Sequence, residues 1–272
     1  MSNGQWANPN GSFAIFRCTN VKYANELINQ GTIMFNCAQA WADIEMIKGK
    51  GQGDLYEGIF AACHLLDVDS VLSYHQQYDD VESICDGKLV YFKRKSVMNL
   101  PTFCFFILRQ NLFDCSGKEG RQTLSAHIPG AYFQDFAEGL SADQVMLLDE
   151  EKRPSLVLIH DMDRFIEMIK SKLITLGVKE SDILFQLVQY EDKHTPFYNP
   201  VGSPKELFLK DKSFYYQNEG RIVVNTTSKL LIDMLVRKPI NIGSIREFAQ
   251  QSNTYSEQGV LVRMTADVYA MD

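Results

Sequence analysis

The segment SFYYQNEGRIVV places a carboxamide, Gln217, two residues before a carboxylate, Glu219, at the mouth of a β-branched run. On a strand, positions i and i+2 share a face. That face extends back to Tyr215 and forward to Arg221. A carboxylate and a carboxamide then project together at the strand entrance, beside an arginine. The same alternation also describes a solvent-facing strand edge, with Glu219 and Arg221 as an ordinary surface pair. A second feature is Arg17, set between Phe16 and Cys18 in the aromatic run FAIFRC. An arginine inside a strand needs a carboxylate or phosphate partner if it is buried. On an exposed strand face it pairs with a surface carboxylate.

Other segments carry weaker signals. The glycine-rich GKGQGDLYEG at 49–58 offers backbone N–H groups but lacks the spacing of a phosphate-binding P-loop. It reads as an active-site loop or a surface loop, and Tyr56 within it stacks on a ligand or packs on the core. KLVYFKRKS interleaves aromatics with Lys88, Lys93, Arg94 and Lys95. That pattern fits a single-stranded nucleic-acid track or a solvated basic face. In IHDMDRF, Asp161 reads better as a helix cap than as part of a metal site with His160 and Asp163. No serine or cysteine nucleophile sits in a recognisable catalytic setting. The six cysteines form no C-x-x-C pair and the five histidines show no ligand spacing, so no metal is expected.

The elements that must position these residues follow from apolar patterning. Strands are predicted at 13–18, 32–36, 88–97, 102–110, 155–161, 183–192 and 259–270, with a turn and a strong strand over 212–227. A helix capped by Asn20 and ended by Gly31 follows the first strand, and an amphipathic helix spans 162–177. A helix-like stretch begins at 40. Residues 59–76 have helix-compatible spacing in part, and 114–122 reads as a loop. Strands and helices mix without βα alternation, which predicts an α+β fold rather than a doubly wound parallel sheet. Residues 1–12 read as a flexible leader and 13–272 as a single domain. With 27 basic and 34 acidic residues in 272, the net charge of −7 excludes a histone-like protein but leaves room for a local basic cleft. The polar N-terminus carries no secretory pattern and no apolar run approaches 18 residues, so a cytoplasmic, non-membrane protein is expected.

An arginine in an N-terminal strand, a helix ending in glycine, and a downstream Gln-x-Glu opening a strand together resemble the ADP-ribosyltransferase superfamily. FRCTN followed by NELINQG is similar to the opening of DarT-like nucleic-acid ADP-ribosyltransferases. G-D-x-x-E-G at 53–58 and F-x-K-x-x-x-(Y)-x-x-(Q/E)-x-E-x-R at 208–221 also resemble a large uncharacterised bacterial family found among prophage and defence genes. The likeness spreads over residues 13–226. It implies a mixed, mostly antiparallel split sheet flanked by helices, and NAD as substrate. It implies that Glu219 is catalytic, that Gln217 orients the acceptor, and that Arg17, Thr19, Tyr56 and Arg221 hold NAD. The acceptor would be RNA, single-stranded DNA or protein, in a toxin or phage-defence effector with a cognate antitoxin. The middle Ser-Thr-Ser strand of that branch has no counterpart in the same order, because NTTS at 225–228 follows Gln-x-Glu; Thr123 or Ser125 would have to replace it. The alternatives are a non-catalytic binding module of the same fold and an NAD glycohydrolase.

Overall fold

The computed structural model describes residues 12–48, 55–67, 69, 73, 79–109, 112–117, 120–137, 139–199, 204–253 and 256–268. Nearly all of the leader over 1–12, and residues 49–54 of the glycine-rich segment, lie outside them. The chain begins with β1 (Ser12–Asn20), α1 (Val21–Gln30), β2 (Thr32–Ile33), α2 (Ala38–Lys48), β3 (Ile59–His64), β4 (Val81–Cys85), β5 (Leu89–Arg94), α3 (Lys95–Met98) and β6 (Thr102–Arg109). Next come β7 (Phe113–Gly117), β8 (Gly120–Pro129), α4 (Gly130–Phe136), α5 (Ala142–Met146), β9 (Pro154–Ile159), α6 (Met162–Thr175), β10 (Ile183–Leu187), β11 (Gln189–Glu191) and β12 (Phe197–Tyr198). It closes with β13 (Leu209–Asp211), β14 (Glu219–Val224), α7 (Lys229–Arg237), β15 (Ile240–Asn241), β16 (Ala249–Ser252) and β17 (Gly259–Val268). Helices mix with mostly antiparallel strands, so the fold is α+β. Two compact units are formed from interleaved segments: Met1–Thr32, Phe105–Ile169 and Ile242–Asp272 make the first, and Ile33–Cys104 and Lys170–Asn241 the second.

In the first unit, β1 pairs antiparallel with the Phe106–Arg109 stretch of β6 on one side and with β9 on the other, and β9 pairs with β16. Ile15, Phe16, Cys18, Ile107, Leu156, Val157 and Ile159 fill its interior. Helix α1 starts where Asn20 accepts a hydrogen bond from the Tyr23 N–H at 2.9 Å, a cap worth about 1 kcal/mol. Its buried face is Val21, Ala24, Leu27 and Ile28, at helical spacing. Gly31 ends it with φ of 64°, and a Cβ there would stand 2.0 Å from the Gly243 carbonyl oxygen. Only glycine meets both demands. Asp161 caps α6 by accepting from the Arg164 N–H at 3.0 Å. A second sheet joins β7, β8 and β17, with β8 and β17 in register from Gly120–Val268 to Pro129–Gly259. The loop predicted at 114–122 is therefore mostly two paired strands. Its glycine and polar content carries no strand signal, and the strands are defined by backbone pairing of β7 and β17 with β8.

In the second unit, β12, β3, β5 and β4 form an antiparallel sheet. β10 pairs antiparallel with β14, and β11 pairs parallel with β13. Residues 59–64 are a strand rather than part of a helix. All but His64 are buried on both faces, so the run carries no two-residue alternation to reveal it. The basic strand of 88–97 also differs from expectation. Strand β5 ends at Arg94, Lys93 is buried, and Arg94 is bound to the buried Glu206, with Nε and Nη2 donating to Oε1 at 2.8 and 2.6 Å. Lys95 opens α3 and pairs with Glu82 at 3.0 Å. Ala38, Ala42, Val97, Met98, Leu100, Leu207, Phe208 and Val223 pack together under Trp41. That core fixes one side of β14, the strand that carries Glu219 and Arg221.

Candidate functional site

Four of the sequence-identified residues, Tyr56, Gln217, Glu219 and Arg221, belong to the second unit, and Arg17 and Thr19 belong to the first. Gln217 and Glu219 do converge, though not through strand alternation. Lys212–Gln217 is a 3-10 turn, capped by Asp211, which accepts from the Ser213 N–H at 2.9 Å. Asn218 then adopts a left-handed conformation, φ 36° and ψ 54°, which asparagine tolerates better than most residues. The strand begins only at Glu219. This kink removes Tyr215 from the shared face but brings the side chains of Gln217 and Glu219 to one point, the ammonium of Lys210. Lys210 donates to Gln217 Oε1 at 2.7 Å and to Glu219 Oε2 at 3.1 Å. Its Nζ also lies 4.9 Å from the centre of the Phe214 ring.

Strand alternation holds from Glu219 onward. Arg221 follows on the same face, and its Nε donates to Glu219 Oε1 at 2.7 Å. The pair is not the surface pair that alternation alone allowed. Arg221 is fully buried and Glu219 is 7% exposed. The two terminal nitrogens of Arg221 clamp Glu57: Nη1 donates to Oε1, and Nη2 to Oε2 at 3.0 Å. Nη1 also donates to the Leu207 carbonyl, and the guanidinium lies 5.4 Å from the Trp41 ring. The backbone of Glu219 is held at both ends. Its N–H donates to Tyr190 Oη at 2.8 Å, and its carbonyl accepts from the Val188 N–H at 2.9 Å. Tyr190 meets the exposed ring of Tyr215 edge-on at 5.4 Å.

Two buried carboxylates, Glu57 and Glu219, thus face two cations, Arg221 and Lys210. Burial alone would raise the Glu219 pKa. Arg221 and Lys210 overcome it and hold the carboxyl well below the usual range, with the Cys104 thiol adding a hydrogen bond. Burial would discharge Arg221, but Glu219 and Glu57 keep it charged. Burial raises Cys104 well above its ordinary value and Glu219 adds to the rise, so it stays a thiol. Tyr190 is pushed up by burial and by Glu219, and remains a neutral phenol.

The turn that carries Glu57 is itself fastened. Lys193, almost fully buried, donates from Nζ to the carbonyls of Tyr56 at 2.6 Å and Leu209 at 3.1 Å. Glu45 accepts from the Leu55 N–H. Gly58 has φ of 69°, and a Cβ there would stand 2.6 Å from Met98 Sδ. Tyr56 is half-buried, its ring 4.8 Å from Tyr91 and 5.5 Å from His194. Arg17 and Thr19 sit on β1 opposite Val157 and Ser155, both half-buried. Glu57 and Lys210 are the residues that sequence reasoning missed as site members. Both lay inside quoted motifs, the Glu of G-D-x-x-E-G and the Lys of F-x-K.

Among the described residues, no group of three or more His, Cys, Asp or Glu side chains is arranged to hold a metal ion, and no helix is long and apolar enough to cross a membrane. No protein-family model, curated protein or solved structure matches this chain.

Proposed function

We propose that the chain is an NAD-consuming ADP-ribosyltransferase acting inside the cell, of the toxin or phage-defence kind, with nucleic acid as the favoured acceptor class. Glu219 is the catalytic carboxylate and Gln217 orients the acceptor. The observation that carries the reading is the convergence of Gln217 and Glu219 on one ammonium, with Glu219 held ionised. Loss of nicotinamide leaves an oxocarbenium-like ribose, and a fixed carboxylate beside it stabilises that charge. A carboxylate offers about four lone-pair sites. Arg221, Lys210 and Cys104 each take one from Glu219, which leaves about one to accept the ribose 2′-hydroxyl. The exposed Tyr215 ring, resting on the tyrosine that binds the Glu219 N–H, offers an aromatic face for nicotinamide. The roles of Arg17, Thr19 and Tyr56 toward NAD, and the ADP-ribosyltransferase type of the α+β fold, rest on the resemblance of the sequence.

The charge balance of the cluster favours a second reading, a non-catalytic binding module in which Glu57, Arg221, Glu219 and Lys210 brace β14. NAD consumption separates the two. Glu219→Gln keeps the shape and removes the charge. Under the catalytic reading it lowers kcat by about 10²–10³-fold with KM for NAD little changed. Folded wild type that leaves NAD intact leaves the binding module, and an unchanged kcat in the folded variant removes Glu219 from the catalytic role.

A further inference from the structure

This inference rests on Glu219 being the catalytic carboxylate. We propose that Lys210 is a positioning residue for it: one ammonium, seated against Phe214, ties Gln217 Oε1 and Glu219 Oε2 to a common point and fixes the lone pair of Glu219 left to meet a ribose hydroxyl. Arg221 commits both terminal nitrogens to Glu57 and only Nε to Glu219. Arg221 is thus shared between Glu57 and Glu219, and Lys210 supplies the second positive charge that the two carboxylates need for balance. The other groups facing Glu219, the Tyr190 phenol and the Cys104 thiol, are neutral. Without Lys210 the cluster holds one buried carboxylate too many, and the least costly response is to protonate Glu219. A protonated Glu219 cannot stabilise a cationic ribose.

Orientation is set by the same atom. The Gln217 oxygen is the end held by Lys210, which fixes which way its amide is turned. Phe214 and Gln217 belong to one 3-10 turn, so the ammonium also locks the turn that precedes Glu219. Arginine at 210 would keep the charge; glutamine or methionine would not.

The test titrates Glu219 by carboxyl-carbon NMR of glutamate-labelled protein, with Glu219→Gln identifying the signal. Wild type, Lys210→Gln, Lys210→Met and Lys210→Arg are compared, together with the pH profile of kcat/KM for NAD. In the wild type, Glu219 titrates below the ordinary glutamate value of about 4.3. In the two neutral variants the titration rises by at least about one unit. The acid limb of turnover rises with it, and below that limb each unit is a tenfold loss. Lys210→Arg keeps both near wild type. A Glu219 titration unmoved in a folded neutral variant overturns the inference. If both neutral variants fail to fold, a wild-type Glu219 that titrates near 4.3 overturns it. A folded wild type that leaves NAD intact overturns the catalytic reading itself, and the titration still answers for Lys210.

Discussion

Replacing Arg221 with methionine tests whether the buried cluster holds the second unit together. Arg221 is fully buried and Glu57 is 1% exposed, so the mutation leaves the Glu57 carboxylate out of water without its clamp. Breaking a buried pair from one side costs about 3–5 kcal/mol. The Leu207 carbonyl also loses its donor, for roughly 1 kcal/mol more. Together the loss is about 4–6 kcal/mol, against a total stability of about 5–15 kcal/mol for an ordinary domain. An exposed pair would cost about 0–1 kcal/mol, so the two accounts are well separated. Urea unfolding followed by Trp41 fluorescence reads the change at the site, since that ring lies beside the guanidinium. The pairing also predicts rescue. Glu57→Leu combined with Arg221→Met removes both charges and recovers at least about half of the loss, because a buried pair replaced by apolar groups is often neutral. A loss under about 1 kcal/mol in Arg221→Met alone would refute the reasoning.

Further outcomes follow from the same contacts. Glu219 has a depressed folded-state pKa, so its contribution to stability is present above the unfolded value of about 4.3 and fades as pH falls through the folded value. Wild type therefore loses stability more steeply from pH 5 to pH 3 than Glu219→Gln does, and equal slopes in urea titrations would contradict this. Gly58→Ala meets both a positive φ and the Met98 sulfur, and should cost at least about 1–2 kcal/mol by the same unfolding assay. Burial pushes Cys18 from an ordinary 9.0 to about 12, three units that leave about a thousandfold less thiolate. In native protein at pH 8, peptide mapping after brief maleimide treatment should find the exposed Cys85 labelled and Cys18 unlabelled. Labelled Cys18 in folded protein would count against its buried placement.

Much of the architecture was legible where local chemistry decides it. Asn20 and Gly31 bracket α1 because cap and left-handed terminator are properties of single residues. The strands at 13–18, 102–110 and 155–161 announce themselves by apolar runs. The run at 59–64 did not, since a strand buried on both faces carries no alternation. The β7–β8 hairpin was hidden for the opposite reason, its composition being that of a loop. The grouping of Gln217 with Glu219 was readable from spacing, but its cause was not. A 3-10 turn and a left-handed Asn218 bring them together, and Lys210, seven and nine residues earlier, is where they meet. The burial of Arg221 was beyond sequence reasoning, because its partner Glu57 lies 164 residues away and only the fold joins them.

The central claim is that Glu219 performs chemistry on NAD, and adenine-labelled NAD tests it most directly. Purified protein is incubated with the label alone and with RNA, single-stranded DNA or cell lysate, beside Glu219→Gln. The account predicts label on a macromolecule with the wild type and none with the variant. Intact NAD in every tube, from protein shown to be folded, would contradict it and leave Gln217, Glu219 and Lys210 as the brace of a binding module.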